Sequence, residues 1–258
     1  MTYYVSSSTK AYIRFKGNVP ETQLTALAYE GFSKLGAECV PFYWVDEIDS
    51  MEDLGPETLI CGYIGDIHWG LKKLGKPIPP ALDYPESLKP FFGREIIETT
   101  LGEVRRAVHN ESQQVFIKPV EHKAFTGFVY DGGPVSRRRV VMFDDATPVY
   151  RSDVIPMVSE YRCVILAGNI IDVRRYNGDW AVAPHRDDVE AAVDAYQKSG
   201  TAPICYTLDV AFVPVDGGLH GANTVVVEVN DGFAFGHYGM QPEAYASCLA
   251  ARWKEMTQ

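Results

Sequence analysis

The sequence lacks a long hydrophobic run. No stretch of about 18 apolar residues occurs, so it predicts no membrane-spanning helix. Its first residues, MTYYVSSSTKAYIRF, also lack the apolar core of a signal peptide. Cysteine is scarce, with 5 residues spread along the chain and no Cys-x-x-Cys pair, which argues against a disulfide framework or a zinc site. These absences make a soluble cytoplasmic protein the expectation.

Positive charge is also in deficit. The chain has 24 Lys and Arg against 34 Asp and Glu, a formal net charge of -10. Such a surface repels phosphate backbones and anionic lipids, so we expect no nucleic-acid and no membrane partner unless a local basic patch overrides the total. No Gly-x-Gly-x-x-Gly pattern follows the first predicted strand, which disfavours a Rossmann-type oxidoreductase.

What is present is a core-forming composition, divided by a proline-rich stretch. The 258 residues are 46% hydrophobic. Residues 1–88 predict a small α/β unit, with a strand from Tyr3 to Ser6, a helix starting near Pro20 and ending at Gly36, and further alternating strands and helices that favour a parallel sheet. The segment GKPIPPALDYP (75–85) predicts a linker, because consecutive prolines continue neither a helix nor a central strand. Residues 89–258 mix strands and helices and close on the amphipathic helix PEAYASCLAARWKEM.

Three oxygen-bearing side chains form the strongest constellation. In VVVEVN, Glu228 and Asn230 are two residues apart in a predicted strand and share a face, whereas Val227 and Val229 point to the core. A glycine-rich hairpin (216–221) would return Asp209 alongside them. Two carboxylates and an amide oxygen suit Mg²⁺. The alternative is the polar face of a half-exposed hairpin.

Lys118 ends the apolar run VFIK before a proline, which places an ammonium at a strand terminus. Such a point charge suits phosphate. The segment that follows, HKAFTGFV, contains Lys123 and predicts a flap over phosphates. The alternative for Lys118 is an edge-strand lysine near a turn.

A pair of predicted strands around residues 160–176 carries the remaining polar residues. Glu160 follows the hinge-like SDVIPMVS, where a carboxylate could bind the two ribose hydroxyls of a nucleotide. Arg162 shares its face, and Arg174 and Arg175 lie on the next strand. Arginine suits bidentate recognition of carboxylate or phosphate. The alternative is a solvated strand face of mixed charge.

Taken in order, these pieces resemble the ATP-grasp superfamily over about residues 91–239. SEYR (159–162), YTLDV (206–210) and VEVNDGFAFGHYG (227–239) resemble a divergent clade of it. The resemblance implies an α/β (α+β) fold, with a pre-ATP-grasp-like domain at 1–88 and an ATP-grasp domain at 89–258 whose two subdomains clasp ATP.

The resemblance also implies which residues bind ATP and Mg²⁺. Asp209, Glu228 and Asn230 would hold two Mg²⁺ ions. Nucleotide contacts would come from a set of six residues: Arg94, Lys118, Lys123, Asp153, Val154 and Glu160. Arg94 stands roughly where the family has an earlier phosphate lysine. Thr207 stands where a substrate arginine is often found, so Arg174 or Arg175 would supply that charge.

The function implied is an ATP-dependent carboxylate–amine ligase that works through an acylphosphate on an amino-acid or peptide substrate. At least one of Arg162, Arg174 and Arg175 would bind the acyl group, with Arg174 favoured because it shares a face with Asp172 and Tyr176. Two alternatives stay open: a phosphotransferase on the same fold, and a nucleotide-binding module without turnover. A homodimer is the default expectation for assembly.

Overall fold

The structure, a computed structural model, describes residues 4–111, 113–121, 124–215 and 218–258. These residues form three four-stranded sheets. The strands are β1 (Lys10–Lys16), β2 (Val19–Pro20), β3 (Glu38–Phe42), β4 (Thr58–Cys61), β5 (Ile96–Thr100), β6 (Val115–Pro119), β7 (Phe128–Tyr130), β8 (Pro148–Ser152), β9 (Ser159–Leu166), β10 (Asn169–Gly178), β11 (Cys205–Val215) and β12 (Gly218–Asp231). The α-helices are α1 (Gln23–Lys34), α2 (Ile64–Lys73), α3 (Leu101–Glu111), α4 (Pro134–Arg139), α5 (Arg186–Lys198) and α6 (Pro242–Thr257), with 3-10 turns at Val45–Ser50 and Glu86–Phe91.

The first sheet confirms the predicted parallel arrangement. β1 lies between β3 and β4 and runs parallel to both, and β2 pairs with it antiparallel. The strand predicted from Tyr3 to Ser6 is wrong for its described part, because residues 4–6 form no strand. There the Thr9 hydroxyl accepts from the Ser6 backbone N–H at 3.0 Å and holds a turn instead. The first strand is β1, whose Ala11 and Ile13 alternate into the core.

Helix α1 was predicted at the right place but with the wrong start. Thr22 is its N-cap: the Thr22 hydroxyl accepts from the Thr25 N–H at 3.1 Å, and the Thr25 hydroxyl accepts from the Thr22 N–H at 2.9 Å. Pro20 lies in β2 instead. Gly36 follows the helix with φ +79°, as a C-terminal stop requires.

Helix α6 is the main tie between the two ends of the described chain. It was predicted as an amphipathic helix, but it is buried on nearly all sides. It packs against α1 and joins a core that also contains Ile13 and Phe32 of the first unit and Val164 and Leu166 of β9. The predicted division at residue 88 therefore separates segments that share a core, and it remains a prediction.

The second and third sheets each carry helices on one side only. In the second, with strand order β5-β8-β6-β7, Val115 and Ile117 pack beneath α3. In the third, with strand order β10-β9-β11-β12, Cys163 and Leu208 pack beneath α5. The other faces of these two sheets meet across a cleft. Within the described residues, no helix is both long and apolar enough to cross a bilayer.

We expect Gly31→Ala to destabilise the protein by about 2 kcal/mol or more. A Cβ at Gly31 would lie 2.0 Å from the backbone oxygen of Pro242, so α1 and α6 would have to separate. Urea unfolding measures the change. Gly65→Ala in α2 is the matched control, because nothing lies within 4 Å of its Cβ position, and it should be neutral or stabilising. Equal stability of the two variants would contradict the close packing of α1 on α6.

Candidate functional site

One face of the third sheet carries the polar residues predicted for the site. Arg162 of β9 pairs with Asp209 of β11, which in turn pairs with Glu228 of β12. Residues paired across antiparallel strands share a face, so these three side chains point to the same side. Glu160 and Asn230 lie two residues further along their strands and join them there. The pairing that the hairpin was predicted to produce is thus confirmed, although residues 216 and 217 lie outside the described residues.

Arg162 and Asp209 form a buried, two-pronged ion pair. The Arg162 Nε and Nη2 atoms donate to the two Asp209 oxygens at 2.7 and 2.6 Å. Nη1 also donates to the Gly236 carbonyl at 3.2 Å, and the guanidinium lies over the Tyr238 ring at 5.1 Å. Burial by itself lowers the pKa of Arg162, but the Asp209 carboxylate outweighs it and raises the pKa. The guanidinium therefore stays charged despite its burial.

Lys118 crosses the cleft from β6. Its Nζ donates to Glu228 Oε2 at 2.7 Å and also to Asp83. Burial lowers the pKa of Lys118, whereas the charges of Glu228 and Asp83 raise it further, so the net pKa is raised. For Glu228, burial raises the pKa but Lys118 lowers it more, and the net pKa is lowered. Both partners are therefore charged near neutral pH. Lys118 faces the cleft, as predicted, rather than solvent.

Asn230 links the two carboxylates predicted as metal ligands. Its Nδ2 donates to Glu228 Oε1 at 3.2 Å and to Asp209 Oδ2 at 3.4 Å. These are hard oxygen donors on one face, which fits an Mg²⁺ ion that keeps some water and phosphate ligands. Both carboxylates are neutralised here by Arg162 and Lys118. Among the described side chains, no three His, Cys, Asp or Glu residues gather as a metal-binding group, so an ion would need Asn230, water or phosphate to complete its shell.

A cavity of about 460 Å³ opens between the second and third sheets. Its walls mix apolar and polar side chains from both: Tyr84, Arg94, Phe116, Val129, Ser152, Asp153, Val154, Ile155, Met157, Glu160, Tyr176, Val227 and Glu228. Four of the residues predicted to bind nucleotide thus line one cavity together with a predicted metal ligand. Lys123 lies outside the described residues.

Glu160 is held at the cavity wall by two neighbours on β10. The Tyr176 hydroxyl donates to its Oε2 at 3.1 Å, and Asn177 Nδ2 donates to its Oε1 at 2.6 Å. Tyr176 also stacks on Tyr238, with ring centroids 5.0 Å apart. Sequence reasoning gave neither tyrosine this place, because their contact joins segments more than 60 residues apart and no local pattern marks it.

Arg94 is bound to the backbone rather than free in the cavity. Its Nη1 donates to the carbonyls of Phe92 and Val226 at 2.9 and 3.1 Å, and its Nη2 to that of Val227 at 2.9 Å. Burial lowers the pKa of Arg94. These contacts hold the segment before β5 against β12. Phosphate binding by Arg94 remains a prediction and would compete with them.

Arg174 and Arg175 point to opposite faces of β10, as strand alternation predicts. Arg174 pairs with Arg162 and so shares the polar face, but its Nε is bound to Asp172 at 2.8 and 2.9 Å. Arg175 pairs with Tyr161, and its Nη1 donates to the Gly178 carbonyl at 2.6 Å. Neither lines the cavity between the sheets.

Val227 departs from the predicted alternation. It was expected on the core side with Val229, yet it is only partly buried and lines the cavity. The reason is a shift of register: Asp209 pairs with Glu228 but Val210 pairs with Val226, which leaves Val227 as an extra residue. The prediction for Val227 was wrong because a bulge cannot be seen in the order of apolar and polar residues.

Asp83 is a site residue that sequence reasoning missed. It is 7% exposed, has φ +36°, and binds Lys118. Its carbonyl accepts from the Val229 N–H at 2.9 Å, so the linker is fastened to β12 beside Glu228. Its one signal in the sequence is that it is the only charged carboxylate within GKPIPPALDYP.

A family model described as an ATP-grasp domain, the second family of its clade, matches residues 91–248. The chain belongs to the ATP-grasp family. This match covers more than half of the chain and confirms the predicted membership and fold. No protein of curated function matches the sequence significantly.

Solved ATP-grasp structures resemble the whole chain at low identity. D-alanine–D-alanine ligase from Bacillus anthracis complexed with ATP is 18% identical with a TM-score of 0.56, covering 96% of this chain and 95% of that one. The ATP-grasp ligase PsnB complexed with a minimal precursor is 15% identical with a TM-score of 0.52, covering 95% and 99%. The macrocyclase MdnC from Microcystis aeruginosa MRC, bound with precursor peptide MdnA, is 12% identical with a TM-score of 0.52, covering 93% and 99%. At these identities the likeness shows the fold.

We expect Asp83→Asn to lower the free energy of unfolding by about 1–3 kcal/mol. The amide keeps the shape and tolerates the positive φ, but it removes one of the two charges that hold buried Lys118. Urea unfolding measures the loss, and a double-mutant cycle with Lys118→Met assigns it to this pair.

Asp53→Asn is the control for this change. Asp53 pairs with Lys10 at 2.8 Å, but its side chain is 47% exposed, so the loss should stay within about 0.5 kcal/mol. Additive effects of Asp83→Asn and Lys118→Met would contradict the coupling.

Proposed function

We propose that the protein is an ATP-dependent ligase that activates a carboxylate as an acylphosphate and joins it to an amine. The observation that carries the proposal is the face of the third sheet, where Asp209, Glu228 and Asn230 adjoin a cavity that two sheets form in an ATP-grasp chain. Support comes also from the solved relatives, which include an amino-acid ligase and two enzymes bound to precursor peptides. An amino acid or a peptide is therefore the substrate class proposed here.

The cavity between the sheets is the proposed nucleotide site. Its hinge residues Asp153 and Val154 would face the adenine, and Glu160 would bind the ribose hydroxyls. Lys118 is the proposed phosphate ligand. The cavity's mixture of apolar wall and few polar groups is typical of small-molecule sites.

Asp209, Glu228 and Asn230 are the proposed Mg²⁺ ligands. PsnB, at 15% identity and a TM-score of 0.53, was solved with Mg and ADP, which supports ATP with Mg²⁺ as the pair bound here, and two ions remain the expectation. Bound Mg²⁺ supplies positive charge that offsets the phosphates during transfer. In this chain, Lys118 and Arg162 hold the same carboxylates, so we propose that both cations turn to substrate phosphate or carboxylate when the metal binds.

A second cavity, of about 250 Å³, is the proposed site of the carboxylate substrate. Arg162 and Asn230 line it beside apolar residues of the linker, of α2 and of the loop after β12, including Leu82, Ile64 and Phe233. Its volume suits one residue of a substrate. The carboxylate oxygen would attack the γ-phosphorus and release ADP. The amine would then attack the acyl carbon, lose a proton, and release phosphate. The chain's contribution would be positioning and charge stabilisation.

A screen of ATP consumption across amino acids and short peptides, with mass analysis of products, tests the function. A ligase yields a product joined with loss of water and requires both carboxylate and amine. A phosphotransferase yields a stable phosphoester without any amine, and a binding module yields no product. Either of the last two outcomes would overturn the ligase proposal.

Glu228→Gln should lower turnover about a hundredfold or more while the protein stays folded. The substitution keeps the side chain's size but removes a charge that Mg²⁺ would use. Turnover and thermal unfolding are measured together. The same substitution at exposed Glu98 on β5 serves as the control and should leave turnover unchanged. Near-normal activity of Glu228→Gln would show that the metal ligands lie elsewhere.

Arg162→Lys should lower turnover about tenfold or more with little change in nucleotide affinity. Lysine keeps the charge but loses the fork that grips two oxygens. Arg174→Lys and Arg175→Lys are the comparison, and both should act more weakly, because neither side chain lines the second cavity. Turnover and nucleotide dissociation constants separate the two effects. Equal, near-normal turnover in all three variants would place the acyl site elsewhere.

A further inference from the structure

A second concave surface lies on the outer side of the second sheet's helices. It has a volume of about 650 Å³ and is formed by α3, α4 and the turn after α4. Its lining is rich in arginine: Gly102, Arg105, Arg106, His109, Tyr130, Arg137, Val141, Phe143 and Asp145. We name it the α3–α4 groove. Phe116 of the same sheet lines the nucleotide cavity, whereas Ile117 packs under α3, so the groove and the cavity lie on opposite sides of this layer.

The groove is locally positive in a chain of net charge -10. Arg105 is bound to Asp145 and to the carbonyls of Val140 and Phe143. Arg106 and Arg137, by contrast, are exposed, and no described carboxylate lies within ion-pair distance of either. Arg138 beside them is equally exposed. An acidic protein would repel most anions, so this surface selects an anionic partner that approaches from one direction.

Exposed apolar side chains accompany these charges. Val135, Val141 and Met142 are 76%, 68% and 88% exposed, and Val141 lines the groove itself. A nucleic-acid backbone would use the arginines but leave the apolar side chains in water. A bilayer surface would use both, but it cannot enter a concavity. A polypeptide offers carboxylates and apolar side chains on one flexible strand and can enter it.

We infer that the α3–α4 groove binds an acidic segment of a partner polypeptide, with carboxylates on Arg106 and Arg137 and an apolar side chain against Val141. Carboxylate–guanidinium contacts give such a segment its orientation, and burial of the apolar side chain adds affinity. The binding does not depend on the proposed catalytic function, because the groove residues are not part of the nucleotide or metal site.

The test uses the full chain and a fluorescent peptide of alternating Glu and Asp that contains one Leu and one Phe. Fluorescence anisotropy should detect binding that weakens as salt rises. Arg106→Ser with Arg137→Ser should weaken binding about tenfold or more, and Val141→Ser with Met142→Ser should weaken it by a smaller factor. A peptide with Gln and Asn in place of the acids should bind weakly, as should one with Ser in place of Leu and Phe.

Two matched controls make the test specific. Lys16→Ser with Lys72→Ser removes the same charge from exposed lysines of the first unit, and it should leave binding unchanged. Lys118→Met should also leave it unchanged, which separates this inference from the proposed function. Equal binding by the arginine pair variant and the lysine pair variant would overturn the inference. So would no binding of the acidic peptide, or tighter binding of single-stranded DNA or of anionic phosphatidylserine vesicles.

Discussion

Two ion pairs across the cleft, Lys118 with Glu228 and Arg162 with Asp209, set the conditions for the rest of the structure. A buried carboxylate or ammonium without a partner would cost several kcal/mol, so each charge fixes where its partner must lie. Lys118 comes from the second sheet and Glu228 from the third, so this pair also fixes the approach of the two sheets. Arg162 and Asp209 lie within one sheet, where cross-strand pairing alone brings them together. The cavity between the sheets is thus kept open by walls whose charges are already balanced.

The linker adds a third constraint to the same point. Asp83 shares Lys118 with Glu228, and its backbone is bonded to Val229 on the adjoining strand. A segment that composition marks as a spacer is therefore fastened to both sides of the cleft. This explains how a residue can adopt φ +36° without being glycine, since the surrounding contacts fix its position. It also means that the first unit cannot move relative to the cleft without disturbing Lys118.

The sequence predicted those features that depend on neighbours along the chain. VFIKP became β6 with Lys118 directed into the cleft, and Glu228 and Asn230 share a face because strand alternation holds between them. It failed where one residue changes the phase, as at Val227, since a bulge leaves no trace in hydrophobic periodicity. It failed again where a partner is distant in sequence, as for Asp83 with Lys118. The serine-rich start was misplaced because its hydroxyls stabilise a turn that competes with a strand.

The position of α6 bears on how the chain is made. Helix α1 and the first sheet emerge early from the ribosome, yet the helix that completes their core is synthesised only after both cleft-forming sheets. Until then Phe32 and its neighbours have no cover on that side. Contacts that join such distant segments slow folding and leave apolar surface open to association in the meantime. The nascent chain is therefore a natural client for a ribosome-bound chaperone, and stable structure should appear late and nearly at once in all three sheets.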